Sequence, residues 1–425
     1  MLGIGLLVSV SGGYKAAGVL CGSAALAYVL GRWLRLSKRS LWHAAIERTV
    51  VPLAFVALVW MNISGLVGTL TGGESSLRSG ASTALIALPF YLLAIAAFVS
   101  DMAIGRRALP GFLDYLVYLM LPFKLLAGPL ESTALLDQIK NCQFRLRFSR
   151  WMVAWPWLVL GAFMKYVVAN RLDPARHLVS TDPITSFFTA AIFELKFYFD
   201  FAGYSFLAYG ASLAVGLHIS QNFNHPFLAP NVVLFWRRWH MSLGRFLGRY
   251  VLEPNLSLWR GRTQKMLFAS AIFMVSAMWH GGTLNYLAWG FFHGACYFIY
   301  GQWLRRRDIP GWLGGLAMVL FFVFGRMFAV DADGARLLTR IARFFDPSAY
   351  SWPVAGPAAG QPFLTGPELR AVAVATLFIA AEVWSTRRYP HRPYHLFRRP
   401  LCALALLVVF LLAGTDTGTL LYARI

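Results

Sequence analysis

The chain has 425 residues, of which 58% are hydrophobic and only 13% are Asp, Glu, Lys or Arg. A soluble globular domain carries about a quarter charged residues, so this composition excludes an ordinary soluble enzyme. Several apolar runs reach the roughly 20 residues that a helix needs to cross a bilayer. The composition therefore predicts an all-α polytopic membrane protein without a separate soluble domain.

The net charge of +21 would favour nucleic-acid binding in a soluble protein. Here the basic residues lie in short loops between apolar runs, which is the positive-inside pattern of cytoplasmic loops. We therefore expect membrane lipid, and no nucleic acid, as the partner of these loops. A basic cluster after the first run places that loop in the cytoplasm and the N-terminus outside. The cluster consists of Arg32, Arg35, Lys38 and Arg39.

In chain order, the apolar runs predict about ten crossings. Segment 110–132 is bracketed and interrupted by Pro and Gly and has basic flanks, so we expect it to enter the membrane and return, or to lie in the interface. Segment 222–262 mixes Arg with Trp and predicts amphipathic helices at the cytoplasmic interface. The predicted crossings are residues 14–30, 50–70, 83–104, 151–168, 184–219, 266–279, 284–303, 312–328, 371–384 and 400–414.

The run at 184–219 contains Glu194, Lys196 and Asp200. Charged groups at such depth are costly, so they are expected to face a bundle interior or a wet cavity. A second interpretation places Glu194 and Lys196 near a helix end, where their long side chains reach the membrane surface. The run at 266–279 is short for a full crossing, so His280 is expected to stop part-way through the membrane.

His280, in "AMWHGG", is the first candidate for chemistry because imidazole takes a proton near neutral pH. The alternative is a histidine that only hydrogen-bonds a neighbouring helix. His240, in "FWRRWHMSL", has a stronger alternative as a headgroup or packing contact, and His293 is interpreted as packing. The motifs GxxxxGK[ST], HExxH and GxSxG are absent, and the cysteines lack metal-ligand spacing, so no bound cofactor or metal is expected.

Four segments in order resemble the membrane-bound O-acyltransferase (MBOAT) family, and most closely its bacterial AlgI- and DltB-like branch. They are "FYFDFAGYSFLAYG", "NFNHPFL", "FWRRWHMSL" and "MWHGGTLNYLAWGFFHG". "LPFKLLAGPLE" is similar to the Gly-Pro segment of that branch. The resemblance is best over residues 83–294 and implies one integral-membrane domain over 1–425. The implied fold is a bundle of about ten to eleven transmembrane helices with re-entrant and interfacial helices around a central funnel.

The resemblance also implies roles for residues. His280 matches the family's general base, and His240 matches the second histidine of the bacterial branch, which would orient the donor or stabilise the oxyanion. Arginines near His240 are expected to attract donor phosphates, unless they only set the topology. The full set expected to bind substrate or donor is Trp236, Arg237, Arg238, Trp239, Asp200, Tyr204 and Asn285.

The chain departs from the family pattern after His240. Gly248 and Arg249 stand where related sequences have an Arg-Asp pair, and "EPNLSLWRGR" replaces a Pro-Leu-Gly-Gly continuation. These changes lie on the donor side, so they bear on donor identity and carrier docking more than on the histidine chemistry.

The function implied is transfer of an acyl group, with acetyl favoured, from acetyl-CoA or an acyl-carrier thioester to hydroxyls of an exported polysaccharide. One alternative is D-alanyl transfer to a teichoic-acid-like polymer, and another is a non-enzymatic transporter or scaffold. The implied location is the bacterial cytoplasmic (inner) membrane. A periplasmic or membrane-anchored acyltransferase is the implied partner protein.

Overall fold

The computed structural model describes most of the chain, and the fold is given for those residues. The segment before Tyr14, Gly281 directly after His280, and residues 414–425 lie outside the described residues. The described residues are 14–37, 41–70, 83–125, 128–142, 144–145, 147–178, 180–280, 282–305, 310–331, 333–350, 362–389, 394–397 and 399–413.

Within these ranges the chain is helical and contains no strand, as the composition predicts. A helix satisfies its backbone hydrogen bonds internally, which hydrocarbon demands. The helices are α1 Tyr14–Leu36, α2 Leu41–Leu70, α3 Thr83–Ala103, α4 Phe112–Leu119, α5 Pro122–Leu125, α6 Leu135–Asn141, α7 Phe148–Ala162, α8 Pro183–Val215, α9 Val232–Arg238, α10 Met241–Leu247, α11 Glu253–Asn255, α12 Gly261–His280, α13 Leu284–Ile299, α14 Gly311–Phe328, α15 Gly334–Phe344, α16 Gly366–Arg388 and α17 Pro400–Ala413.

Three stretches of the described chain are long and apolar enough to cross a membrane: Leu41–Trp60, Phe148–His177 and Gly366–Arg388. Two shorter apolar helices cover Pro89–Ala103 and Leu313–Phe328. This supports the predicted membrane class, while the count of ten to eleven crossings and the central funnel stay predictions.

Large apolar side chains on several helices face outward. Leu26 on α1, Trp60 on α2 and Leu377 on α16 are each 70–72% exposed. A soluble monomer rarely exposes apolar surface on this scale, but such faces suit contact with lipid chains. The exposed faces therefore agree with the composition.

The two segments that the sequence set apart are broken into short helices. Segment 110–132 contains α4 and α5, and segment 222–262 contains α9, α10 and α11, all too short to span a bilayer. A π-helical turn follows α10 at Gly248–Leu252, where the chain departs from the family pattern. An inserted residue of this kind often marks a local constraint or a functional position.

Two helices differ from what the sequence predicted. The run at 266–279 is part of α12, which begins at Gly261 and has 20 residues, a length of about 30 Å. The added residues 261–265 are glycine or polar, so the apolar run itself is no longer than expected, and the position of His280 part-way through the membrane stays a prediction. In addition, α15 is an amphipathic helix that was not predicted. Its N-cap Asp333 accepts the backbone N–H of Arg336, which lowers the pKa of the Asp333 carboxyl, and the Arg336 side chain adds to this effect.

The chain forms two compact units. The first comprises residues 1–155, 208–222 and 240–268, and a buried carboxylate organises it. Asp101, at the end of α3, is 0% exposed and accepts hydrogen bonds from Thr133 Oγ1 at 2.5 Å and Tyr250 Oη at 2.7 Å. Arg106 and Arg249 form ion pairs with the same carboxylate at 3.3 and 3.7 Å. Asp101 thus ties α3 to the segment before α6 and to the π-helical turn.

The second unit comprises residues 156–207, 223–239 and 269–425, and aromatic side chains fill its core. Trp239 lies among Phe223, Phe235 and Phe322, with ring centroids 4.8–5.6 Å apart. Aromatic rings bury large apolar areas and gain further from edge-to-face packing. This cluster connects segment 223–239 with α14.

Asp101→Asn should lower the free energy of unfolding by about 1–3 kcal/mol, because the NH2 group that replaces one oxygen cannot accept a hydrogen bond and the negative charge that pairs with Arg106 and Arg249 is lost. The measurement is the midpoint of unfolding in detergent. Asp137→Asn is the matched control, since Asp137 pairs with Arg107 and is 68% exposed, and an exposed pair contributes less than about 1 kcal/mol. Equal shifts in the two variants would contradict the role given to Asp101.

Candidate active site

His240 occupies a sharp turn between two short helices. Helix α9 ends at Arg238, α10 begins at Met241, and His240 adopts a left-handed backbone with φ 44° and ψ 51°. Its carbonyl accepts the N–H of Gly244, so His240 is the N-cap residue of α10. The side chain is 6% exposed. Few residues other than Gly adopt this left-handed backbone without strain, and His is among those that are enriched there. Because its side chain is buried, His240 faces the interior of the protein.

The residues after His240 are anchored by a buried polar network in the first unit. Ser242 Oγ donates to Asn222 Oδ1 at 2.6 Å and accepts the N–H of Leu130 at 3.0 Å, and Met241 N–H donates to the Asn222 carbonyl at 2.9 Å. Ser242 and Asn222 are both 0% exposed. Three of the segments that carried the family resemblance, "WHMSL", "NFNHP" and "AGPLE", thus meet at one serine hydroxyl.

His280 is the last residue of α12, in the second unit, and is partly buried. Helix α13 begins four residues later at Leu284, so α12 and α13 form a helical hairpin whose turn follows the histidine. The two candidate histidines lie in different compact units.

A close contact holds α13 against α12. A Cβ atom added to Gly290 would lie 2.7 Å from Ala277 Cβ and 2.9 Å from Met274 Cα. Ala277 is 0% exposed and precedes His280 by three residues, which is nearly one helical turn. The glycine in "AWGFF" therefore lets the partner helix approach the end of α12, and this approach helps to set where His280 sits.

Asn285 is held by the protein itself. It is 0% exposed, and its Nδ2 donates to Asp331 Oδ1 at 3.3 Å and to the Asp333 carbonyl at 3.4 Å. Arg340 of α15 binds the other oxygen of Asp331 at 2.8 Å. Asn285 thus connects the start of α13 to the start of α15. A direct contact between Asn285 and a substrate stays a prediction. The Asn285 amide nitrogen already donates hydrogen bonds to Asp331 and Asp333.

The tryptophans of "FWRRWH" differ in their surroundings. Trp239 is 5% exposed inside the aromatic core, so its side chain serves packing. Trp236 is partly buried, and its ring centroid lies 5.2 Å from that of His293. Its indole N–H has no hydrogen-bond partner among the described residues.

His293 is 1% exposed, and its ring centroid also lies 4.3 Å from that of Trp289 and 4.7 Å from that of Phe321. The geometry of His293 agrees with packing.

Arg237 is exposed at the end of α9, and Arg238 is partly buried. Within the described part of the chain, neither forms an ion pair with a carboxylate, so both guanidinium groups keep charge for an anionic ligand or for lipid headgroups. The Arg238 carbonyl accepts the N–H of Asn224 at 3.0 Å, which fixes the backbone of this helix end.

Asp200 pairs with a lysine. Lys165 Nζ lies 2.5 Å from Asp200 Oδ1, and Asp200 is only 2% exposed. Lys165 stands in a π-helical turn at Phe163–Val168 that continues α7. Tyr204, one turn along α8 from Asp200, is partly buried. Asp200 is thus engaged in an interhelical ion pair, and ligand contacts of Asp200 and Tyr204 stay predictions.

Two buried clusters were not identified from sequence. Glu194 pairs with Arg326 at 2.5 Å, which confirms that Glu194 faces inward and does not reach the surface. His225 accepts the N–H of Tyr394 at Nε2, and its Nδ1 lies 3.5 Å from Glu382. The histidine of "NFNHP" was a visible signal, but its partners lie more than 150 positions along the chain.

The described residues contain no group of three His, Cys, Asp or Glu side chains that could hold a metal ion. A partly buried histidine at a helix end is a side chain that suits proton transfer.

Comparison with known proteins identifies the family. The model of the family described as MBOAT, membrane-bound O-acyltransferase family, matches residues 49–330, which is more than half of the chain. The match includes both candidate histidines and extends beyond the region 83–294 that the motifs indicated.

Several named bacterial proteins are similar to part of the chain. The probable alginate O-acetylase AlgI of Azotobacter vinelandii is 30% identical over 217 residues, which cover 49% of this chain and 43% of that protein. The peptidoglycan O-acetyltransferase of Helicobacter pylori is 30% identical, with 44% and 37% covered. The teichoic acid D-alanyltransferase of Bacillus subtilis is 32% identical, with 31% and 37% covered. Each match spans less than half of the relative's length.

Gly290→Ala should lower the free energy of unfolding by about 1–3 kcal/mol, because the added methyl group overpacks the contact with Ala277 and Met274. Gly315→Ala on α14 is the control, since a Cβ at Gly315 meets nothing within 4 Å and alanine favours a helix over glycine. The unfolding midpoints of both variants in detergent test this. A Gly290→Ala variant as stable as the Gly315→Ala variant would refute the close contact.

Proposed function

Because the chain belongs to the membrane-bound O-acyltransferase family, we propose that it moves an acyl group from a thioester donor to hydroxyl groups of an exported cell-surface polymer. The observation that carries the proposal is His280, a partly buried imidazole at the end of a helix that is held by its hairpin partner. A base in a shielded site can act on the acceptor hydroxyl while bulk water, which would hydrolyse the thioester, is kept out.

The reaction proceeds through a tetrahedral intermediate. His280 accepts the proton of the acceptor hydroxyl as its oxygen attacks the thioester carbonyl carbon. The intermediate collapses, the carbon–sulfur bond breaks, and the proton on His280 passes to the thiolate. The products are the ester and a free thiol, and the imidazole is neutral again. No metal or bound cofactor takes part.

His240 acts on the donor side by orienting the thioester or stabilising its oxyanion. Its inward-facing turn and the Ser242 network, which holds the adjoining backbone, support this role. A hydrogen-bond donor that is already held in position to meet the negative charge of the transition state is a large source of rate enhancement. Arg237, exposed next to this turn, attracts the phosphates of coenzyme A or of an acyl carrier.

The acyl group is acetyl in the first form of this proposal. The relatives of Azotobacter and Helicobacter bear acetyl-transfer names, which supports acetyl, while the Bacillus relative is a D-alanyltransferase and keeps D-alanyl as the second candidate. The enzyme sits in the cytoplasmic membrane of a bacterium with its N-terminus outside. A periplasmic or membrane-anchored partner completes transfer to the polymer.

A transporter is the rival class. A proton relay would use Glu194 and Asp200 as acids in series, but each is paired with a cation, Arg326 and Lys165 respectively. The pairing favours structural roles for both carboxylates. A scaffold without catalysis would show no turnover of the acyl donor, whereas the proposed enzyme would.

His280→Ala should abolish acyl transfer, reducing turnover by at least about 100-fold, because general-base catalysis contributes on the order of 10²–10⁴. Purified protein in nanodiscs is incubated with radiolabelled acetyl-CoA and, separately, with a D-alanyl-loaded carrier protein, and turnover of the donor is measured as acyl label released from its thioester. His218→Ala is the control, because His218 is exposed and its described contacts use only its backbone. Full activity in a folded His280→Ala variant would overturn the mechanism.

The same assay tests His240 with His240→Asn. Asparagine tolerates the left-handed backbone of this turn, so the variant removes the imidazole without adding strain as alanine would. Lower turnover with normal stability would support a catalytic role, and unchanged turnover would leave His240 as a packing residue.

Arg237→Gln and Arg238→Gln should raise the KM for the donor about three- to tenfold and leave kcat close to wild type, because each removes one charge-assisted contact to phosphate. Arg387→Gln and Arg388→Gln, at the basic end of α16, are the controls. A KM that is unchanged in all four variants would assign these arginines to topology.

A further inference from the structure

The second unit contains a cavity of about 670 Å³ between α8, α14 and α16. Its volume lies in the range of ligand-binding pockets. Among the described residues on its wall, every side chain except that of Glu194 is apolar. Examples are Ile192, Phe227, Phe322, Val323 and Ile379. The proposed acyl-transfer chemistry does not use this space.

Glu194 is the polar exception among the residues on the wall. It is 5% exposed, and its Oε1 accepts a hydrogen bond from Arg326 Nε at 2.5 Å. Its Oε2 is buried and has no hydrogen-bond partner among the described residues. A buried acceptor without a partner is destabilising, so its persistence calls for a ligand that satisfies it.

Arg326 decides what kind of ligand fits. It neutralises Glu194, donates to the Ala329 carbonyl at 3.4 Å, and places its guanidinium over the rings of Phe193 and Phe197 at 4.8 and 4.9 Å. The Glu194–Arg326 pair therefore presents one hydrogen-bond acceptor and no net charge. Neither a cation nor an anion would recover its desolvation cost in such a cavity.

The wall also excludes other neutral occupants. A buried water needs two to four polar partners, and the side chains that the structure describes on the wall offer one. An amide would bring a carbonyl, for which these side chains supply no hydrogen-bond donor. A hydroxyl group on a hydrocarbon chain meets both conditions, because its O–H donates to Glu194 and its chain covers the apolar wall.

We propose that this cavity binds a membrane lipid by a hydrocarbon chain whose hydroxyl group donates a hydrogen bond to Glu194 Oε2. The site is independent of acyl transfer, since it is built from residues to which the proposed reaction assigns no role. The lipid would enter from the bilayer that surrounds the helices and would fill the space between α8, α14 and α16.

The test uses the full chain in lipid nanodiscs and a photoreactive long-chain primary alcohol. After illumination, labelled peptides should come from the cavity wall on α8, α14 and α16. Unlabelled alcohol should compete at a concentration at least about tenfold lower than its methyl ether, which has the same chain but no donor, because a hydrogen bond to a charged group is lost in the ether. Equal competition by alcohol and ether, or labelling elsewhere, would overturn the proposal.

A pair of variants tests the location. Ala191→Phe on α8 fills the cavity and should reduce labelling at least about tenfold. Ala373→Phe on α16 is the matched control, because Ala373 is exposed and is not on the cavity wall, and it should be labelled like wild type. Equal labelling of both variants would contradict the site. If Ala191→Phe does not fold, the alcohol and ether competition in the wild type decides alone.

Acyl transfer measured on the same samples keeps the two proposals apart. Loss of labelling in Ala191→Phe with normal transfer would support the lipid site by itself. Absent transfer in a wild-type protein that still discriminates alcohol from ether would refute the proposed function and leave the lipid site standing.

Discussion

The need to match every buried polar group within an apolar interior shapes this protein. Hydrocarbon offers no hydrogen bonds, so a charge inside the helices must find its partner on another part of the chain. Lys165 does this for Asp200, and Arg326 does it for one oxygen of Glu194. Asp101 shows the same constraint in the first unit, where hydroxyl groups and arginines surround it. These pairings decide which helices are held together, and the unmatched oxygen of Glu194 marks the place where a ligand is expected.

The polar networks also explain why polar residues such as Ser242 and Asn222 occur in the segments that resemble the family. Ser242 does no chemistry in the proposed reaction, yet its hydroxyl group links the segment after His240 to Asn222 and to Leu130. His225 similarly holds Tyr394 in the second unit. The Ser242 network fixes the backbone that adjoins His240, and an active site needs such rigidity to hold its reacting groups in place.

The departure at Gly248 and Arg249 also finds a structural account. Arg249 lies in a π-helical turn and pairs with Asp101, beside Tyr250. The arginine in this chain thus contributes to the buried hub of the first unit. Asp101 partly neutralises the charge of Arg249. The exposed Arg237 is therefore the better candidate for contact with the phosphates of an acyl donor.

The sequence by itself determined the helical membrane class, most helix positions and the two candidate histidines, because apolar length and local motifs are properties of neighbouring residues. It missed α15 and the true start of α12, since amphipathic and polar helix ends lack a continuous apolar signal. Only the tertiary structure decided the partners of Glu194 and His225, because these residues meet side chains more than 130 positions away. It also decided that Asn285 and Trp239 are engaged inside the protein. Spacing along a chain carries no information about which distant polar group will supply a missing hydrogen bond, and that pairing is settled when the helices pack.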